Sequence, residues 1–385
     1  MGPLDEIKQL YEHRDLAARD WKSKGGKVVG YISDDVPEEL ILSAGFFPFR
    51  MSGDPYESTA EADKYCEYFL DPSVRSILSM LLMGKYNFLD YMIIPHHSDA
   101  VLKLYHELWW IHKINPLIVF PQIHLFDVLH TTFLNSAYYV RRQLADLKTC
   151  LEQWSGKMID LDALSRSIQV VNNNRSLLKR ISDLRKRDDI RISGVEALQI
   201  TGTSCFMMKE DHSKLLTNIL NGAETLPVKT GVRVFIEGSD LDNTQFYDLI
   251  ESSGAVIVGE DSNWGDRYSE DPVDENAEPM EALAERYHIR PSRLRTQSSE
   301  QRVKYCSTKT NQAKAQGVIF YLLEWDPAVA WDQPDQKKDL AEKGIPSICF
   351  SDQKYLLSES GRTAIQQAVE TFLNSIRKGP KEDIG

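Results

Sequence analysis

Residues 27–50 read KVVGYISDDVPEELILSAGFFPFR, and the fold follows from this stretch. Val28–Ile32 is a short β-rich run, and Phe46–Arg50 is another. Between them, Val36-Pro37-Glu38-Glu39-Leu40 opens a helix, since a proline followed by acids in the first turn is ordinary helix-start chemistry. Strand, helix and strand in so few residues mark a parallel βαβ unit. Working outward, the pattern predicts further strands at Leu89–Ile94 and Leu117–Phe120. Val101–Ile111 lies between those two as a helix, with Val101, Leu104, Tyr105, Leu108 and Ile111 on one face. Ahead of the quoted stretch, Leu4 to Lys22 predicts one helix carrying Leu4, Ile7, Leu10 and Tyr11 on a single face, stopped by Gly25-Gly26.

Beyond these units, residues 133–222 hold no convincing strand; their Leu, Ile and Val positions recur with a helical period. From Val232 the alternation resumes, with strands expected at Val232–Ile236, Ala255–Val258, Gly317–Leu322 and Ile345–Phe350 and a last helix over Ala364–Arg377. The expected fold class is α/β. It comprises an N-terminal helix (residues 1–26), a first doubly wound, four-stranded parallel domain (27–132), a helical connector (133–227) and a second such domain (228–385). A cleft is expected between the two domains. The length of 385 residues agrees, since about 150 residues per domain gives two to three domains.

Hydrophobic residues make up 42% of the chain and charged residues 26%, which is globular usage. The formal charge of −12 argues against nucleic acid and anionic lipid as partners. No apolar run reaches the roughly 18 residues of a membrane span, and a charged N-terminus is unlike a signal peptide, so a cytoplasmic location is expected. Cys66, Cys150, Cys205, Cys306 and Cys349 are odd in number and widely spaced, and no C-x-x-C occurs; reduced thiols are the expectation.

In open α/β sheets ligands bind beyond the carboxyl ends of the strands. Three predicted strands end in chemistry-bearing residues: Pro95-His96-His97-Ser98-Asp99, Gly259-Glu260-Asp261 and Glu324-Trp325-Asp326-Pro327. The two histidines suit proton relay or a metal, but neighbouring side chains on extended backbone diverge, and local hydrogen bonding serves equally. Glu260 and Asp261 suit a general base or a helix cap. Trp325 suits stacking on a ring or core filling. Phosphate-loop, G-x-G-x-x-G, H-E-x-x-H and G-x-S-x-G motifs are all absent, which removes support for an ATPase, a common dehydrogenase, a zinc protease and a serine hydrolase.

A set of collinear runs resembles the 2-hydroxyacyl-CoA dehydratase and benzoyl-CoA reductase subunits, and most of all the smaller subunit of ATP-dependent benzoyl-CoA reductases. The runs are Val28-Val29-Gly30-Tyr31, Val36 to Leu40, Val74-Arg75-Ser76, Phe88-Leu89-Asp90 with Ile94-Pro95, Ile192 to Glu196, Val258 to Asp261, Gly317 to Phe320, and Asp326-Pro327 with Asp332-Gln333-Pro334. The resemblance implies two flavodoxin-like domains, a paired subunit, a separate ATP-dependent activator and a 4Fe-4S cluster held by three cysteines that serves an acyl-CoA thioester. The family cysteines fall at Asp71, Ser98 and Trp325, none of which is Cys, so no metal is expected in this chain.

The resulting expectation is a clusterless subunit that binds an acyl-CoA, preferably aromatic, in anaerobic catabolism. It would be paired with a paralogous chain that can carry the 4Fe-4S cluster. Two alternatives stand beside it: a non-redox CoA-thioester hydratase or isomerase in the vacated cleft, and a non-catalytic assembly subunit. The residues named for acid–base work are Asp71, His97 and Glu260. Those named for the substrate cleft are Glu38, Glu39, His96, Ser98, Asp261 and Trp325.

Overall fold

The computed structural model describes residues 2–290 and 296–378. The chain begins with α1 (Pro3–Glu12), α2 (Leu16–Ser23), β1 (Val28–Tyr31), α3 (Glu38–Ser43), β2 (Phe47–Arg50), α4 (Pro72–Leu82), β3 (Tyr91–Pro95), α5 (Asp99–Ile114) and β4 (Gln122–Phe126). Four helices follow, α6 (Leu134–Ser155), α7 (Leu161–Lys186), α8 (Gly194–Ser204) and α9 (Lys209–Asn221). Then come β5 (Val232–Gly238), α10 (Gln245–Ser252), β6 (Ala255–Glu260), α11 (Pro279–His288), α12 (Ser299–Gln312), β7 (Gly317–Leu323), α13 (Pro327–Glu342), β8 (Ser347–Gln353) and α14 (Glu359–Lys378).

Two compact units result. Unit 1 comprises Met1–Leu177, Gly202–Leu215 and Ser269–Gln297; unit 2 comprises Leu178–Thr201, Leu216–Tyr268 and Ser298–Gly385. The units interleave along the chain, so the helical region that reads as a separate connector is divided between them, and α11 returns to unit 1. A hydrophobic pattern records that a helix has a buried face, but not which sheet buries it.

In unit 1 the sheet order is β2-β1-β3-β4, with every neighbouring pair parallel. The first strand is central, and the chain adds a strand on one side before crossing to the other. Gly45, at φ +81°, makes the turn from α3 into β2 that a residue with a Cβ adopts only under strain. Val140, Leu144, Leu147 and Leu151 of α6, all fully buried, form one stripe in the core with Val29, Ile93, Phe126 and Leu283.

Unit 2 repeats the plan with order β6-β5-β7-β8, again all parallel. Its core joins Phe235, Val256, Val258, Val318 and Phe320 of the sheet to Cys306 of α12 and Leu340 of α13. Along α14, Ile365, Val369, Phe372 and Leu373 are buried at helical spacing. Both sheets thus have the flavodoxin-like arrangement. Among the described residues no helix is long and apolar enough to cross a membrane.

Two local expectations are corrected. The single N-terminal helix is broken at residues 13–15, where Arg14 donates a 2.6 Å hydrogen bond to Ser52 Oγ and a second helix begins at Leu16. The fourth strand is Gln122–Phe126 and not Leu117–Phe120. Ile118 N–H bonds Asn115 O at 3.0 Å in a turn off α5, which holds the apolar run out of the ladder with Leu117 91% exposed.

Candidate functional site

A doubly wound sheet has its binding crevice where the strand order reverses. In unit 1 that point is the carboxyl edge between β1 and β3. Ser33, Asp34 and Asp35 follow β1, and Ser33 holds a left-handed φ of +64°. His96, His97 and Ser98 follow β3.

The two histidine rings go to opposite neighbours of their strand. His97 Nδ1 contacts the Asp35 carboxylate and lies 2.8 Å from Ser33 Oγ, on the β1 side. His96 Nδ1 lies 2.8 Å from Asp127 Oδ1, on the β4 side, and Asp127 Oδ2 accepts the Tyr139 hydroxyl at 2.7 Å. Each ring therefore presents its Nδ1 to a carboxylate, an arrangement that favours the tautomer with its proton on Nδ1. The Asp34, Asp35 and His97 ligand atoms all lie within 4.8 Å of one another. Asp35 and Asp127 did not stand out in the sequence, because their tie to the histidines is made between neighbouring strands.

Asp71 is the N-cap of α4: its Oδ1 accepts Ser73 N–H at 2.9 Å, Ser73 Oγ–H at 2.6 Å and Val74 N–H at 3.2 Å. Ser98 is the N-cap of α5, its Oγ accepting Val101 N–H at 3.2 Å. Trp325 precedes the N-cap residue of α13, with φ +65° and its side chain 47% exposed. All three positions that the resemblance sets against cysteines thus stand at helix starts, and the two polar residues satisfy otherwise unpaired N–H groups there.

Glu38 and Glu39 open α3 but point into the core of unit 1. Glu39 Oε1 accepts Arg175 Nη1–H at 2.7 Å and Glu39 Oε2 accepts the Tyr287 hydroxyl at 2.7 Å. Glu38 pairs with Lys209 at 2.8 Å, and all four charged side chains are at most 3% exposed. Their role is that of buried counter-ions.

The remaining two acidic candidates belong to unit 2. Glu260 takes a two-pronged contact from Arg185, at 2.6 and 2.9 Å, and accepts Asp266 N–H at 3.0 Å. Burial pushes its carboxyl above the usual range, against the pull of Arg185. Asp261 is buried against Arg267. Asp71 and His97 therefore lie in unit 1, while Glu260 is tied up in unit 2.

The cluster implied by the resemblance needs thiolates. Asp71, Ser98 and Trp325, at the three positions that the resemblance sets against ligand cysteines, offer no sulfur. Burial pushes all five thiols up, Cys66 and Cys150 to about 11. Ligand thiols need the opposite environment. These donors do not fit a 4Fe-4S cluster.

The sheet plan and the doubled unit define an α/β protein of two units, each with a flavodoxin-like parallel sheet. The chain belongs to the family described as 2-hydroxyglutaryl-CoA dehydratase, D-component, which it matches over residues 35–376. It is 26% identical over 377 residues to the (R)-phenyllactyl-CoA dehydratase beta subunit of Clostridium sporogenes, covering 96% of this chain and 98% of the relative. It is 27% identical over 384 residues to a benzoyl-CoA reductase subunit of Thauera aromatica, covering 96% of each chain. Identity to the lactoyl-CoA dehydratase subunit beta of Anaerotignum propionicum is 24% over 375 residues, covering 95% of this chain and 98% of the relative.

Proposed function

We propose that this chain is a clusterless subunit of an acyl-CoA dehydratase or reductase complex. In this reading it binds an acyl-CoA, preferably aromatic, alongside a paralogous subunit in the cytoplasm and serves anaerobic catabolism. The observation that carries the reading is a family frame kept end to end in which oxygen donors or an indole stand where the family has thiols. Asp71 and Ser98 are engaged in capping α4 and α5, and hard oxygen donors are poor partners for an iron–sulfur cubane. The low-potential step then falls to the partner, served by an ATP-dependent activator, and this chain contributes binding surface.

The matched relatives are each named as one subunit among several, which supports a partner chain. Unit 1 also exposes a strip of large apolar side chains around the end of α5: Trp109 at 52%, Trp110 at 47%, Ile114 at 71%, Leu117 at 91% and Val119 at 77%. A patch of this kind suits burial by another subunit.

The test is iron and acid-labile sulfide content with the visible spectrum, on anaerobically purified chain alone and co-expressed with its neighbouring paralogue. Iron should be absent from the single chain and appear with the complex. Stoichiometric iron and sulfide in the chain alone would refute the clusterless reading. Failure to bind either the paralogue or any acyl-CoA would refute the subunit reading.

A further inference from the structure

His97 carries chemistry that a scaffold does not need. A carboxylate has no proton to give at neutral pH, so the proton between His97 Nδ1 and Asp35 belongs to the ring, and in the neutral imidazole this leaves Nε2 as the acceptor nitrogen. Among the described residues, the hydrogen bonds of this ring run through Nδ1. Its side chain is 21% exposed and that of Asp35 13%, so the pair is partly open to solvent. Ser33 and Asp34 complete the polar wall at the reversal point of the sheet. His96 has a similar carboxylate, but on the β4 side, away from that point and shared with Tyr139.

We infer that His97 Nε2 is a proton acceptor for an acyl-CoA that carries hydrogen on the carbon beside its thioester carbonyl, with Asp35 as the residue that positions the ring. The substrate class rests on the acyl-CoA reading above. In the step, the C–H bond breaks, its proton goes to Nε2, and the bonding pair moves into the carbonyl to give an enolate. Return of a proton from the same nitrogen restores the thioester, so nothing is oxidised or reduced. The imidazolium formed in between is stabilised by Asp35, which keeps the ring from rotating or changing tautomer.

The test is hydrogen–deuterium exchange into lactoyl-CoA in D2O, read by mass spectrometry, with the full-length chain alone and with its co-purifying paralogue. Benzoyl-CoA, which has no hydrogen on that carbon, is the blank. One deuteron per lactoyl-CoA is expected, with a loss of about 100-fold or more in His97→Gln. His106→Gln, on the exposed face of α5, is expected to leave exchange unchanged. Long-range proton–nitrogen spectra of the imidazoles should show His97 in the Nδ1–H form, and Asp35→Asn should shift it toward the other tautomer while slowing exchange.

Calorimetric binding of lactoyl-CoA separates the two claims. Binding without exchange would overturn this inference and leave the acyl-CoA reading standing. Absence of binding of both lactoyl-CoA and benzoyl-CoA would overturn both. An Nε2–H tautomer in the unaltered protein would overturn the inference even if the variants failed to fold.

Discussion

Arg185→Met removes a guanidinium from the core of unit 2 while keeping a long unbranched side chain. Arg185 and Glu260 side chains are 1% and 2% exposed, so water cannot replace the lost partner. Three contacts disappear: the two prongs to Glu260, at 2.6 and 2.9 Å, and the 2.8 Å bond to Asp266. Glu260 keeps Asp266 N–H at 3.0 Å. Stranding one member of a buried pair costs about 3–5 kcal/mol, and that is the expected loss in the unfolding transition of unit 2 at pH 7. Urea titration followed by tryptophan fluorescence measures it, with Trp264 buried in the same unit.

The pH dependence gives a second handle. The Glu260 carboxyl is already pushed up by burial, and removing Arg185 takes away the charge that pulls it down. The folded variant then binds a proton that the unfolded chain has released, so its stability falls as pH rises through the interval between the two values. The deficit should therefore shrink between pH 8 and pH 5. Adding Glu260→Gln to Arg185→Met removes the stranded charge and should recover most of the loss. A loss under about 1 kcal/mol, or a deficit equal at both pH values, would refute the counter-ion role and reopen Glu260 as a titrating acid.

Asp71→Ala should cost about 1 kcal/mol, within the usual 0.5–2 for a lost N-cap, while Asp71→Asn should retain most of the cap; chemical denaturation of both variants checks this. In unit 1, Arg175→Met should destabilise by about 3–5 kcal/mol and be partly repaired by Glu39→Gln in the double variant, with no repair counting against the ion-pair reading. Thiol labelling should be slow for the folded chain at pH 8 and rapid for all five cysteines once it is unfolded, because burial holds each thiol protonated. A fast single-thiol phase in the folded protein would contradict this.

The sequence by itself determined the class of fold, because the alternation of short β-rich runs with helical ones is local. β1, β2 and β3, and all four strands of unit 2, lie within a few residues of their expected places. The fourth strand of unit 1 escaped because Leu117–Phe120 is the more apolar run, while a turn and the pairing with β3 select the residues after Pro121. His96 and His97 were visible as a polar dipeptide at a strand end. Their separation to opposite sides was foreseeable from extended backbone, where successive side chains alternate.

The tertiary structure alone decided what the charged candidates do. Glu38, Glu39 and Glu260 look alike in sequence whether they meet a substrate or an arginine. Arg175 lies 136 residues from Glu39 and Arg185 lies 75 from Glu260, so only folding makes these pairs. Likewise Asp35, 62 residues before His97, becomes its partner because β1 and β3 are neighbours in the sheet. A sequence fixes which groups ionise and which segments bury a face. Which charge neutralises which, and which carboxylate each imidazole meets, depends on distances of a few ångströms that only the assembled sheets supply.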